Sequence, residues 1–215
     1  MDFQFILSKF PVMLVGSLMT IELTFFSLLF GTILAVIIAF LRISSRNYVN
    51  SIAKFYLWIF RGTPLILQLF VLYYAFPSFG INLSPFVAAV IGLSLNCAAY
   101  MAEIVRGGII SIPKGQYEAS NALGLNYGQT MFTIILPQTV RNILPAVGNQ
   151  FIGMLKDTSL VSTIAMVELM RTAQLIGSST FKYGEVYLAA AILYLLMTSI
   201  FSYIFNKFEK RLARY

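Results

Sequence analysis

Residues 62–102 form a long uncharged run that reads GTPLILQLFVLYYAFPSFGINLSPFVAAVIGLSLNCAAYMA. It is about twice as long as the roughly 20 apolar residues that one membrane-spanning helix needs. The turn-forming residues in its middle are Pro77, Gly80, Asn82 and Pro85. Since proline and glycine end regular helices, the run predicts two membrane spans that meet at a short loop.

The composition of the whole chain is that of a membrane protein. Of its 215 residues, 59% are hydrophobic and 11% are charged, against roughly 25% charged in a soluble domain. Histidine is absent and Cys97 is the single cysteine, so an internal disulfide, a His/Cys metal site and a His-based triad are excluded. The sequence therefore argues against a free-standing soluble enzyme, and it predicts neither catalytic nor metal-binding residues.

Hydrophobicity predicts an all-α membrane protein with about five transmembrane helices. The predicted spans are residues 12–41, 52–76, 85–105, 131–155 and 186–206. If the N-terminus lies outside, nine Lys and Arg residues fall on inner segments and four on outer ones, which favours an N-out, C-in orientation. The net charge of +7 is then mainly an orientation signal rather than a sign of nucleic-acid binding.

Three segments are expected along the chain. Residues 1–11 lack the features of a cleaved signal peptide, and their apolar residues have the spacing of an interfacial helix on the outer surface. Residues 12–208 form the transmembrane domain, and residues 209–215 form a cytoplasmic tail. No linker or internal repeat divides the chain further.

The inner loop at residues 107–130 is long for a connection between spans. Residues 116–123 within it are good helix formers, between glycines at both ends of the loop. An exposed short helix of this kind either docks into a groove of a partner protein or lies on the lipid surface. Physical reasoning alone leaves both alternatives open.

The same loop carries a recognisable motif. Glu118-Ala119-Ser120 is followed after three residues by Gly124, and after nine more by Ile134-Ile135-Leu136-Pro137. This pattern resembles the E-A-A signature of permease subunits of binding-protein-dependent ABC importers, with Ser120 in place of the second alanine. Further stretches look like the polar amino acid uptake branch of that family: residues 61–68, 96–108, 136–138 and 156–160.

The resemblance implies a type I ABC importer transmembrane domain in a bacterial cytoplasmic membrane. Its loop would form a coupling helix that contacts the ATPase through Gln116, Glu118, Ala119 and Gly124. The implied partners are two cytoplasmic ATP-binding subunits, a second permease copy or paralogue, and an extracytoplasmic amino-acid-binding protein.

The sequence lacks a phosphate-binding loop of its own. Gly148 and Gly153 have the spacing of such a loop, but Met154 stands where its lysine is required. We therefore expect a transport subunit without a cofactor, whose partner binds ATP and Mg²⁺. The alternative is a self-sufficient secondary transporter or channel for amino acids, which usually shows repeats or paired broken helices.

Polar residues within the spans are the candidates for a substrate site. On the third span, Asn96, Tyr100 and Glu103 fall on one helix face. Glu103 either receives the cationic amine of a substrate or neutralises Arg106 three residues later. Because Glu103 is the single deep acid, a basic amino acid (arginine, lysine or histidine) is modestly preferred over glutamine.

The fourth span offers a second polar face and a polar end. Gln138, Asn142, Asn149 and Lys156 share a face that either joins helices or lines the translocation path. The cluster Lys156, Asp157, Thr158 and Ser159 suits a substrate carboxylate or forms a capped turn.

The second span contains Pro64, which frees backbone carbonyls for Thr63 or for a substrate amine. Gln68 faces either a neighbouring helix or the same cavity. Arg61 is expected to extend towards the inner boundary.

Overall fold

The computed structural model describes residues 2–212, and every regular element within them is helical. Within residues 2–212 the nine α-helices are α1 Phe3–Ile43, α2 Asn47–Gly62, α3 Leu65–Phe70, α4 Pro85–Ile110, α5 Lys114–Ala122, α6 Tyr127–Gln129, α7 Leu136–Asp157, α8 Leu169–Thr180 and α9 Tyr183–Leu212. The prediction of an all-α protein is confirmed. The last three residues of the expected tail, 213–215, lie outside the described residues.

Helix α1 is continuous over 41 residues and forms one wall of the bundle. The Asp2 side chain accepts a hydrogen bond from the Phe5 backbone amide and so caps its start. Residues 3–11 are the first turns of this helix, with Pro11 inside it. Their placement on the outer membrane surface stays a prediction.

Small residues let α1 lie close to its neighbours. A Cβ atom added at Gly31 would come within 2.9 Å of the Cys97 Cβ on α4, and one at Gly16 within 3.0 Å of the Leu169 Cα on α8. Both glycines are therefore required by close helix contact. Exposed apolar residues along α1, such as Leu18, Phe25 and Ile33, form the surface that suits lipid.

Two prolines, Pro77 and Pro137, each follow a π-helical turn. Pro137 cannot donate to the carbonyl four residues earlier, and the chain before it, Thr130–Ile135, is a wider π-helical turn that joins α6 to α7. Likewise, Pro77 follows the π-helical turn Val71–Ala75 and lies in the 3-10 turn Phe76–Phe79. These wider turns let the chain continue as a helix at positions where proline cannot form the regular α-helical hydrogen bond.

In the part of the chain that the structure describes, three helices are long and apolar enough to span a membrane by themselves: Phe3–Ile43, Pro85–Ile110 and Tyr183–Arg211. Two bent pairs raise the number to five if each pair is one span. The first pair, Asn47–Gly62 with Leu65–Phe79, bends by 101°, and the second, Tyr127–Ile164 with Leu169–Thr180, bends by 49°. If each bent pair is one span, the five predicted spans correspond to three single helices and two broken ones.

The two ends of the bundle can be told apart by an ion pair. Lys182 Nζ, just before α9, lies 2.7 Å from Asp2 Oδ2, just before α1. Helices α1 and α9 therefore start at the same end, which we call the N-terminal end.

A buried carboxylate joins three helices towards that end. Glu168 is fully buried, and it caps α8 by accepting hydrogen bonds of 2.7 Å from the backbone amides of Met170 and Arg171. The Tyr194 hydroxyl of α9 donates to it at 2.8 Å, and Thr20 Oγ1 of α1 lies 3.4 Å away. We call these residues the Glu168 junction.

Candidate functional site

A polar cavity of about 480 Å³ opens where the break between α2 and α3 meets α4 and α7. We call it the central cavity. Its walls are Arg61, Gly62, Thr63, Pro64, Leu65, Asn96, Tyr100, Gln150, Gly153, Asp157 and Leu160. This volume lies in the range of sites that bind small molecules.

The break itself is stabilised by two amide side chains. Gln68 Nε2 donates to the backbone carbonyls of Phe60 and Thr63 at 3.0 and 3.1 Å. Asn96 Nδ2, from α4, donates to Gln68 Oε1 at 3.0 Å and to the Phe60 carbonyl at 3.2 Å. The helix leaves these carbonyls without amide donors before Pro64. The bonds of Gln68 and Asn96 satisfy them and so stabilise the break that forms the cavity wall.

The charges in the cavity are balanced. Among the described residues that line it, Asp157 is the one carboxylate and Arg61 the one cation. Neutral polar groups are supplied by Asn96, Gln150, Thr63 and Tyr100. The Arg61 guanidinium lies over the Tyr100 ring at 5.4 Å from the centroid, in a cation–π contact. No ion pair or hydrogen bond of the Asp157 side chain occurs among residues 2–212.

Gly153 leaves space in the middle of the α7 wall. A Cβ atom added there would meet nothing within 4 Å, so close helix packing does not require this glycine. Glycine in a helix interior costs about 1 kcal/mol relative to alanine. The residue instead enlarges the cavity between Gln150 and Asp157.

Four of the predicted substrate residues line the central cavity together: Thr63, Asn96, Tyr100 and Asp157. Gln68 instead stabilises the α2–α3 break through its hydrogen bonds to the backbone carbonyls of Phe60 and Thr63. Sequence reasoning did not identify Gln150 and Gly153 as lining residues. Arg61 also lines the cavity, and its extension towards the inner boundary stays a prediction. Residues 150, 153 and 157 are spaced three and four positions apart, so they share one face of α7. This face lies beside the polar face of Asn149 and Lys156 that the sequence indicated.

Glu103 lies apart from the central cavity. It lines a neighbouring recess of about 380 Å³ with Arg42, Lys54, Leu57, Trp58, Arg61 and Gly62, which we call the Glu103 recess. Its carboxylate pairs with Arg106 at 2.7 Å and with Arg42 at 3.3 Å. Of the two predicted roles, this geometry favours neutralisation of Arg106, and it adds a second cation from α1.

The polar face of the fourth span is divided among several contacts. Gln138 Nε2 lies 3.3 Å from Gln116 Oε1 of α5, and Asn142 Nδ2 lies 3.3 Å from Ser111 Oγ, so these two residues join helices. Asn149 lines a groove between α7 and α9, and Lys156 lines the adjoining one.

The cluster predicted after the fourth span is likewise split. Asp157 faces the central cavity, whereas the buried Thr158 hydroxyl donates to the Leu155 carbonyl at 2.8 Å. Ser159 is half-buried and lines none of the cavities described above.

The predicted inner-loop helix corresponds to α5. Its exposed side chains include Lys114, Gln116, Glu118 and Asn121, so it has no apolar face to lie on lipid. Gly124 ends it with φ +74°, which glycine adopts without strain, and the Leu125 amide bonds to the Ser120 carbonyl. The buried Ser120 hydroxyl donates to the Gln116 carbonyl at 2.6 Å, which explains why serine fits at the alanine position of the motif.

The fold and the cavity define a membrane protein of several helical spans that holds a polar, solute-sized cavity within one chain. Residues 27–214 match the family described as binding-protein-dependent transport system inner membrane component, and the chain belongs to it. The resemblance noted in the sequence is thereby confirmed.

The chain has characterised relatives in bacteria. It is 42% identical over 209 residues to the L-cystine transport system permease protein TcyB of Bacillus subtilis (strain 168), covering 97% of this chain and 89% of that one. It is 38% identical over 213 residues to the arginine transport system permease protein ArtQ of the same organism, covering 99% and 97%.

Solved structures show the same fold. A chain in the crystal structure of an amino acid ABC transporter with histidines superposes with a TM-score of 0.93 at 39% identity, covering 98% of this chain and 99% of that one. A chain of the inward-facing MetNI methionine ABC transporter, CY5 native crystal form, gives 0.73 at 18% identity and 99% coverage of both chains, which supports the fold alone.

Proposed function

We propose that this chain is the permease subunit of an ATP-driven amino acid importer in a bacterial cytoplasmic membrane, and that the central cavity binds the amino acid during passage. The observation that carries the proposal is the presence of one carboxylate and one guanidinium, Asp157 and Arg61, in a solute-sized cavity. A zwitterion needs one anionic and one cationic or dipolar subsite. Asp157 would accept the ammonium group and Arg61 would donate to the carboxylate.

The rest of the cavity suggests the class of substrate side chain. With both charged groups engaged by the zwitterion, the side chain meets the amides of Asn96 and Gln150 and the hydroxyls of Thr63 and Tyr100. We therefore propose a neutral polar amino acid. The basic amino acid expected from the sequence depended on Glu103, which is already engaged by two guanidinium groups.

Helix α5 is proposed as the coupling helix, with Gln116, Glu118, Ala119 and Gly124 contacting the ATPase. The polar exposed surface of α5 and the apolar side chains of Leu123 and Tyr127, 77% and 70% exposed, support a protein contact. The distribution of Lys and Arg residues supports an N-out, C-in orientation. Helices α1 and α9 start at the same end of the bundle, which is consistent with an odd number of spans such as five.

Two ATP-binding subunits, a second permease chain and an extracytoplasmic binding protein would complete the transporter. ATP and Mg²⁺ would bind to the ATPase partner, and this chain would hold no cofactor. Asn149 and Lys156 lie in polar grooves between α7 and α9, and polar groups at membrane depth favour a protein or water contact over lipid. We place the second permease chain against this face.

Co-purification and reconstitution test the proposal. Glu118→Lys on α5 should abolish association with the ATPase while membrane insertion is unchanged. Glu185→Lys, at a half-buried carboxylate in the first turn of α9 and outside the grooves between α7 and α9, serves as the control and should leave association unchanged. Uphill uptake by the purified chain without ATPase would contradict the proposal and favour a secondary transporter.

A further inference from the structure

The Glu103 recess carries an excess of positive charge. Three cationic side chains, Arg42, Lys54 and Arg61, line it together with the single carboxylate of Glu103. That carboxylate is shared by two guanidinium groups, since Arg106 binds it at 2.7 Å and Arg42 at 3.3 Å. The negative charge in the recess is therefore already used, whereas Lys54 and Arg61 form no ion pair among residues 2–212.

The back of the recess is held in place by hydrogen bonds. Asn50 Nδ2 on α2 donates to the Arg42 carbonyl on α1 at 3.1 Å, and Arg42 in turn reaches Glu103 on α4. Three helices thus fix Arg42 in position. A preorganised cationic wall of this kind binds an anion with little cost of ordering.

The front of the recess combines cations with an exposed aromatic side chain. Lys54, Trp58 and Arg61 are spaced four and three residues apart, so they lie on one face of α2. Trp58 is 70% exposed, and its ring stacks on Phe55 at 5.8 Å between centroids. Tryptophan beside Lys and Arg is typical of the level of lipid headgroups.

The geometry points to an anionic phospholipid as the ligand, with its phosphate in the Glu103 recess. Lys54 and Arg42 would bind the phosphate oxygens, as basic pockets between transmembrane helices do. The acyl chains would lie on the adjoining apolar surface, where Ile52 and Phe55 are 65% and 61% exposed. This surface favours a lipid over a free phosphate ion, and the inference holds whichever amino acid is transported.

Trp58 makes a direct test possible because it is the single tryptophan of the chain. The full-length protein is reconstituted into vesicles that contain brominated phosphatidylglycerol or, at equal mole fraction, brominated phosphatidylcholine. Brominated phosphatidylglycerol should quench Trp58 fluorescence more strongly. Lys54→Gln should lower the relative affinity for it by about fivefold, the contribution of one cation near the membrane surface.

The control is Lys207→Gln, which removes an exposed cation from α9 outside the recess and should leave the preference unchanged. Lys54 is chosen because it lines the Glu103 recess and not the central cavity, whereas Arg61 lines both. Equal quenching by both lipids would overturn the proposal, as would quenching by neither. Loss of the preference in millimolar inorganic phosphate would assign the recess to a free anion instead.

Discussion

Two carboxylates inside the helical bundle, Glu168 and Asp157, have opposite surroundings. Glu168 is fully buried at the junction of α1, α8 and α9, where it accepts three hydrogen bonds of 2.7 to 2.8 Å. Asp157 is half-buried, faces the central cavity and has no such partner among the described residues. The two residues are eleven positions apart in sequence, within one bent helix pair.

The difference separates a carboxylate whose hydrogen-bonding capacity is used within the fold from one that is available to a ligand. A buried polar group that is fully bonded stabilises the fold, and its removal leaves donors without partners. A polar group that faces a cavity retains its bonding capacity for a ligand. Glu103 belongs with the first kind, because two guanidinium groups occupy its oxygens.

The largest expected effect is on stability at the Glu168 junction. Glu168→Ala should lower the free energy of unfolding by about 3 kcal/mol, because two backbone amides and the Tyr194 hydroxyl lose their acceptor. Thermal unfolding of the purified protein in detergent measures this change. Glu118→Ala, at an exposed carboxylate on α5, should leave the melting temperature of the purified protein unchanged. A Glu168 variant as stable as that control would show that Glu168 does not stabilise the fold.

The next effect is on ligand binding at the central cavity. Asp157→Asn keeps the size of the side chain but removes its charge, and should weaken amino acid binding about 10- to 100-fold. The melting temperature should stay the same, since the Asp157 side chain makes no hydrogen bond within the described chain. Equilibrium binding of labelled amino acids to the assembled transporter measures this, with Ser159→Ala as the control. A large fall in stability without loss of binding would show that Asp157 has a structural role like that of Glu168.

Sequence reasoning could identify much of the fold for a simple physical reason. A helix that crosses lipid needs a long apolar run, and the turn formers between Pro77 and Pro85 divide the longest of these runs. At Pro64 the sequence predicted free backbone carbonyls. The 101° bend found there is accompanied by hydrogen bonds of Gln68 and Asn96, which lie on separate helices.

The candidate site was only partly predictable. Thr63, Asn96, Tyr100 and Asp157 stood out because polar residues are rare in apolar spans. Gly153 carries no polar signal, so the space it leaves is visible only in three dimensions. Glu103 had two open roles because its second partner, Arg42, is 61 positions away in sequence.

A third effect sharpens the account of the cavity by changing its size. Gly153→Ala should keep the fold and raise stability by about 1 kcal/mol, since glycine is the poorer helix former and the site is open. Gly153→Leu should fill the wall and exclude amino acids with long side chains by at least about tenfold, while small ones still bind. Competition binding with a series of amino acids of increasing length tests this. Uniform loss for short and long ligands would argue against a role of Gly153 in size selection.

The smallest effect is expected at the Asp2–Lys182 pair, beyond the Glu168 junction. Hydrogen bonding to Lys182 and to the Phe5 amide lowers the pKa of the Asp2 carboxyl, so the pair persists at neutral pH. Its contribution is lost only as pH falls through this lowered pKa, below about 4. Because Asp2 is exposed, Asp2→Asn should leave the melting temperature at pH 7 unchanged within error. A clear drop at pH 7 would show that this end of the bundle is tied more tightly than its exposure indicates.

We propose that the amino acid binds in the central cavity, where the break between α2 and α3 meets α4 and α7. The most direct test is a cryo-electron microscopy structure of the assembled transporter with its amino acid bound. We predict ligand density in the central cavity, with the ammonium group within hydrogen-bonding distance of Asp157 and the carboxylate facing Arg61. Amino acid density confined to the Glu103 recess or to the groove between α7 and α9, with an empty central cavity, would show that the amino acid binds elsewhere.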